Sequence, residues 1–162
     1  MALFIHGYAL HWNEIARIYQ DGETFYEQFE KGAFVDSLKR GNQKALVLHK
    51  TVFDIASVEA RTMFIYEDEV GLAFQVKLQD DSDGRLIYDL VKDGQLNHAS
   101  VSFTSIKKEV VNRRGLKHRI IKKAHLGEIS VVDNPAYKTS SVQIGSNMRE
   151  ILKAKIDAAL SI

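Results

Sequence analysis

The strongest constraint on this chain is a pair of long extended runs that must lie side by side. Residues 100–111 and 116–132 both read as strands, and only Asn112-Arg113-Arg114-Gly115 separates them. A short polar connection ending in glycine turns such runs into an antiparallel ribbon. Side chains alternate along a strand, so each run has two faces. In Asn97-His98-Ala99-Ser100-Val101-Ser102-Phe103, Val101 and Phe103 point one way, and Ser100 and Ser102 the other. In Leu126-Gly127-Glu128-Ile129-Ser130-Val131-Val132, Ile129 and Val131 share a face, and Glu128 and Ser130 take the opposite one. Pairing puts Ser100 and Glu128 on one outer face if the register is right; a slip of one residue would flip one of them.

The remaining sequence supplies more strands and a few helices. Met1 to Leu10 reads as a buried first strand, relaxed or bulged at Gly7. Residues 12–19 are less regular, and Glu23 to Phe29 alternates as a strand. Lys31-Gly32-Ala33-Phe34 opens a short helix with Phe34, Val35 and Leu38 on its apolar side and Gly41 as its stop. Lys44-Ala45-Leu46-Val47-Leu48-His49 is a continuous apolar run, as expected of a strand buried on both faces, with His49 at its end. Residues 52–55 read as a short connection. Ala60–Tyr66 and Leu72–Leu78 form a hairpin around the acidic loop Glu67-Asp68-Glu69, which lacks the spacing of a calcium loop. A helix is expected over Arg85–Lys92, with the acidic stretch 80–83 at its positive end and Asp93-Gly94 closing it. Pro135 ends the last long strand. Met148, Ile151, Leu152, Ile156, Ala159 and Leu160 give the segment Asn147–Ile162 one amphipathic helical stripe.

These elements describe a mainly β chain with helices (α+β). The 162 residues suit one domain over 1–145, with 146–162 as a helix within it or appended to it. There are no cysteines, which excludes disulfides, a thiolate zinc site and a cysteine nucleophile. No histidine pair stands at metal-ligand spacing, so no cofactor or metal is expected. The net charge of +1 gives no global field toward nucleic acid or a membrane. No apolar run reaches the roughly 18 residues of a membrane span. The N-terminal residues lack the basic flank and cleavage site of a signal peptide. The ribbon tip is basic (Lys107, Lys108, Arg113, Arg114, Lys117, Arg119, Lys122 and Lys123, against Glu109), but no aromatics interleave for base stacking. That favours a solvated ribbon, or one meeting an acidic protein surface, over a nucleic-acid contact.

Ser100, His49 and Glu128 together have the chemistry of acyl transfer. A serine hydroxyl needs a neighbouring imidazole to take its proton and return it to the leaving amine. A carboxylate on the other ring nitrogen fixes the tautomer and stabilises the imidazolium. Backbone donors for an oxyanion are expected in the tight loop Asp133-Asn134-Pro135-Ala136. His6 and His11 read as strand-end histidines.

The order of these pieces resembles the prohead (capsid-maturation) serine proteases of tailed bacteriophages. The resemblance rests on Leu46-Val47-Leu48-His49, Asp89-Leu90-Val91-Lys92-Asp93-Gly94, Ser100-Val101-Ser102-Phe103, and Glu128-Ile129-Ser130-Val131-Val132 followed by Pro135-Ala136-Tyr137. Gly32-Ala33-Phe34 adds to it, and the match runs over about residues 1–145. It implies His49 as base, Ser100 as nucleophile and Glu128 as orienting acid. The family commonly has glycine where this chain has Ser102, so Ser102 is a competing hydroxyl. The related herpesvirus assembly proteases use a second histidine as third member; His125 is the nearest here, and strand parity sets it on the other face from Glu128.

The resemblance also implies a herpesvirus-protease-like fold: one compact β-barrel with helices around it. It implies capsid and scaffold proteins as substrates, self-cleavage, a homo-oligomer, and a place inside the immature shell in the host cytoplasm. The C-terminal helix is then the remnant of a cleaved extension, a dimer or scaffold contact, or a cover on the core. The alternative function is an inactive capsid-assembly or scaffold-associated protein on the same fold.

Overall fold

Alternating side chains give each strand one apolar face, and here those faces assemble into two sheets. A computed structural model describes residues 2–161. Within them run β1 (Leu3–His11), β2 (Ala16–Gln20), β3 (Glu23–Phe29), α1 (Val35–Leu38), β4 (Lys44–Val47), β5 (Lys50–Ser57), β6 (Met63–Glu67), β7 (Gly71–Leu78), α2 (Ser82–Lys92), β8 (His98–Arg113), β9 (Leu116–Val132), β10 (Ser141–Ile144) and α3 (Met148–Leu160). One sheet has the order β10-β1-β7-β6 and is antiparallel throughout. The other runs β2-β3-β9-β4-β5, with β8 also paired to β9.

The single closed barrel expected from the sequence does not form. The two sheets meet through one shared core and are not closed into one cylinder. Ile5, Leu10, Leu72, Phe74 and Val76 of the first sheet share that core with Phe29, Ile121, Leu126, Ile129 and Val131 of the second. Inside–outside alternation is the same in a barrel and in two packed sheets, so the pattern alone does not distinguish them. Helix α2 lies against β1, β7 and β10 and buries Val91 in the same core.

β9 organises the second sheet. Its first part pairs in parallel with β3, its last part in parallel with β4, and nearly its whole length antiparallel with β8. The basic ribbon is less free than a count of nearby acids suggests. Lys117, Arg119 and Lys123 meet Glu23, Glu27 and Asp36 on other elements, and Lys122 meets Glu109 at 3.3 Å.

Several elements differ from the sequence expectation. Residues 16–20 form a strand rather than an irregular segment. The expected connection at 52–55 is part of β5, an edge strand with Val52 and Phe53 exposed. Helix α2 starts at Ser82, because the Asp81 carboxylate accepts the Gly84 N–H at 2.8 Å and caps it. The bulge in β1 falls between Tyr8 and Leu10, not at Gly7. Gly7 instead permits close approach of β10: a Cβ there would sit 1.8 Å from the Ser141 carbonyl oxygen. The acidic loop is internally partnered. Glu67 accepts the N–H groups of Gly32 and Phe34 at 2.7 and 2.9 Å, and Asp68 accepts those of Val70 and Gly71. Burial raises the Glu67 pKa, against the lowering effect of those two N–H bonds. In α3, Ile151 is buried against Tyr66 and Ala73, while Met148, Leu152, Ile156 and Leu160 are exposed.

β4 turns into β5 through Leu48 and His49 alone, and both have positive φ, 53° and 58°. Two-residue turns of this kind favour asparagine and glycine, because other side chains crowd the backbone in the left-handed region. Leu48 is anchored there by its N–H on the Val131 carbonyl at 3.0 Å.

Two stability changes follow. Gly7→Ala must push β1 and β10 apart, so it should cost about 1–3 kcal/mol and lower the melting midpoint by several degrees in calorimetry. Leu48→Asn, at an exposed left-handed position, should raise stability by up to about 1 kcal/mol in denaturant unfolding.

Candidate functional site

The site forms where β9 is flanked by two strands at once. On one side β4 runs parallel, with Lys44 beside Glu128 and Leu46 beside Ser130. On the other side β8 runs antiparallel, with Ser102 opposite Glu128 and Ser100 opposite Ser130. Ser100, Ser102, Glu128 and Ser130 therefore share one face of the sheet, and the turn after β4 delivers His49 to the same place.

The side chains there are closely linked. His49 Nδ1 meets Glu128 Oε1. The Ser102 hydroxyl donates to Glu128 Oε1 at 2.7 Å and lies 3.3 Å from His49 Nδ1. The Ser130 hydroxyl donates to Glu128 Oε2 at 2.7 Å and accepts the His49 backbone N–H at 3.0 Å. Ser130 is fully buried, and the Glu128 side chain is 13% exposed against 40% for His49. Lys44 lies next to Glu128 in the register, but its ammonium pairs with Asp54 at 3.1 Å.

Of the three residues expected from the sequence, His49 and Glu128 are in direct contact. Ser100 stands on the same face, two residues along β8, and its side chain makes no hydrogen bond among the described residues. The residue joined to the His49–Glu128 pair is Ser102. His125 is elsewhere, with Nδ1 3.3 Å from the Ser37 hydroxyl. Simple parity does not account for this. Ser102 pairs with Glu128 but Phe103 pairs with Leu126, so Gly127 is an extra residue that breaks the alternation between His125 and Glu128.

Ser130 was not singled out from the sequence. Its signal was its place two residues after Glu128, on the same strand face. A second unforeseen contributor is Ser140, which ties down the start of β8. Its carbonyl accepts from His98 Nδ1 at 2.7 Å, and its hydroxyl accepts the Ala99 N–H at 3.3 Å. The loop between β9 and β10 thus fixes the strand that carries Ser100. It is itself held by Tyr137, which is buried and donates its hydroxyl to Glu27 at 3.0 Å.

The cluster meets solvent through His49 and Ser102. An apolar cleft of about 350 Å³ between β5 and α2, lined in part by Val47, Phe53, Leu86 and Leu90, includes none of its members. An imidazole and a hydroxyl at the surface, backed by a mostly buried carboxylate, suit a reaction on an extended chain laid across the surface.

The solved KSHV protease, in complex with a hexapeptide phosphonate inhibitor, matches with a TM-score of 0.50 at 9% identity; the match covers 94% of this chain and 69% of that one. At that identity the likeness concerns the fold alone. No curated protein matches the sequence. The family model of the caudovirus prohead serine proteases matches residues 1–154, nearly the whole chain, and on that match the chain belongs to this family.

Proposed function

We propose that this chain is a serine endopeptidase of prohead maturation, with Ser100 as nucleophile, His49 as general base and Glu128 as the acid that orients it. The observation that carries the reading is the contact between His49 Nδ1 and Glu128. That contact leaves Nε2 as the nitrogen able to take a proton from a nucleophile. Ser102 sits on the Nδ1 side and gives its hydroxyl to Glu128, so it is already engaged. Ser100 is on the same face with an uncommitted hydroxyl, and it occupies the serine position of the family pattern.

In this mechanism the Ser100 oxygen attacks the scissile carbonyl carbon as its proton passes to His49 Nε2. Glu128 stabilises the resulting imidazolium through Nδ1–H. The tetrahedral intermediate collapses as Nε2–H protonates the leaving amine, and the C–N bond breaks to give an acyl-serine. Water, deprotonated by the same nitrogen, then releases the acid and restores the serine. The substrates are capsid and scaffold polypeptides inside the immature shell, and the protease itself, acting as a homo-oligomer. The exposed site fits the large, extended substrates this requires.

The competing assignment is Ser102 as nucleophile, favoured by its 3.3 Å approach to His49. The competing function is an inactive assembly protein on the same fold. One experiment separates all three. Wild type, Ser100→Ala and Ser102→Ala are each co-expressed with the major capsid protein of the same virus, and cleavage is followed by intact mass. Cleavage should vanish in folded Ser100→Ala and persist in Ser102→Ala. The reverse result would move the nucleophile to Ser102, and no cleavage by folded wild type would favour the assembly protein. Glu128→Gln should lower kcat by roughly 10³–10⁴-fold, as when an orienting carboxylate is neutralised elsewhere. Activity should also fall as the pH is lowered through the range where a histidine becomes charged, because the base must be neutral. A flat profile there would contradict His49 as base.

A further inference from the structure

We propose that Ser102 and Ser130 are positioning residues, a pair of hydroxyls that hold the Glu128 carboxylate against His49; the proposal rests on the reading of Ser100 as nucleophile. The geometry assigns one hydroxyl to each carboxylate oxygen, Ser102 to Oε1 and Ser130 to Oε2, both at 2.7 Å. Ser130 Oγ already accepts the His49 backbone N–H at 3.0 Å, so its own proton is free for Glu128. One buried hydroxyl thus fixes the base's backbone and the acid's side chain at once.

The clamp answers a specific problem. A glutamate side chain has an extra torsion compared with aspartate and must be ordered to serve as an orienting acid. No cation holds Glu128: Lys44, its neighbour in the register, is paired with Asp54, and no basic side chain other than His49 forms an ion pair with it among the described residues. Lys50, next in sequence to His49, is exposed and makes no ion pair among the described residues. The hydroxyls therefore supply the ordering. Ser102 has a second effect. It shares Oε1 with His49, so it draws off part of the charge that would otherwise act on the imidazole alone. A glycine at position 102, the commoner residue in the family pattern, has no hydroxyl to give.

The test uses the purified full chain and a fluorophosphonate, which phosphonylates an activated serine. The second-order labelling rate is measured from about pH 5 to about pH 9, across the histidine range, and the labelled residue is mapped by peptide mass. In wild type and Ser102→Ala the label should sit on Ser100. Ser102→Ala should label about tenfold more slowly, the effect of losing one hydrogen bond to a charged group. Its acid limb should shift to higher pH, because the carboxylate then acts on His49 undivided. Ser102→Thr, which keeps the hydroxyl and suits a strand, should restore both. Ser130→Ala should slow labelling further; because Ser130 is buried, this comparison is read only if circular dichroism shows a native fold. A wild-type rate and acid limb in Ser102→Ala, or failure of Ser102→Thr to restore them, would overturn the clamp. A label on Ser102 in wild type would instead overturn the assignment of Ser100, and the two failures are distinguishable by mapping alone.

Discussion

The hydrogen-bond ladder of β9 between Glu128 and Val131 is shared by two strands of opposite direction, and the site depends on that sharing. β4 approaches in parallel and β8 antiparallel, so residues far apart in sequence reach one face in fixed register. A slip on either side would move the serines or His49 relative to the carboxylate. The register is held by what lies beneath it. Ala45, Val47, Ile129 and Val131 are all in the core, so a slip would carry apolar side chains into water.

Phe29 locks this arrangement from below. Its ring packs edge-on against Phe103 of β8 at 4.8 Å, stacks with Phe34 before α1 at 5.2 Å, and meets Tyr137 of the β9–β10 loop at 5.7 Å. Phe103 follows Ser102 in sequence and points to the other face, so the side that carries the hydroxyl–imidazole–carboxylate cluster is positioned by the side that is packed. Such offset and edge-on aromatic contacts add directional preference to plain burial. The left-handed turn at Leu48 and His49 is a local departure from this regularity. It is tolerated because N–H bonds to Val131 and Ser130 fix it from β9, and backbone conformations of this kind recur where a functional side chain must be aimed.

Much of this was legible in the sequence, for identifiable reasons. The strand Glu23–Phe29 and the long return strand Leu116–Val132 were read correctly because their alternation reflects one buried face each. Strands β2, β5 and β10 were missed because they are short or lie at edges where side chains such as Val52 and Phe53 remain exposed, so the periodic signal is absent. Closure of the sheet was not legible, because alternation reports which face is buried and not whether the edges join. The motif named His49 and Glu128, which are in contact, but did not show which hydroxyls bond that carboxylate. The bulge at Gly127 resets parity between His125 and Glu128, and nothing in a run of letters marks which residue of a strand is extra. Three of the acids that pair with the basic ribbon, Glu23, Glu27 and Asp36, come from β3 and α1, beyond any local count of charges.

Glu27 shows how the support of the site costs stability that its neighbours must offset. Burial pushes its carboxyl pKa up, while the Tyr137 hydroxyl and the Arg119 guanidinium pull it back. Arg119 lies over the Phe25 ring at 4.7 Å and 3.7 Å from the carboxylate, so the charge is matched within a largely apolar setting. With the folded-state pKa raised, the protonated form favours folding, and the contribution fades as the pH rises through that pKa. In its ionised form the carboxylate is therefore a net burden on folding. What the arrangement secures is position: Tyr137 is tied to β3, and Ser140 further along the same loop is bonded to His98 and Ala99, the two residues before Ser100. The buried carboxylate is thus linked, through one tyrosine and one serine, to the strand that carries Ser100 and Ser102.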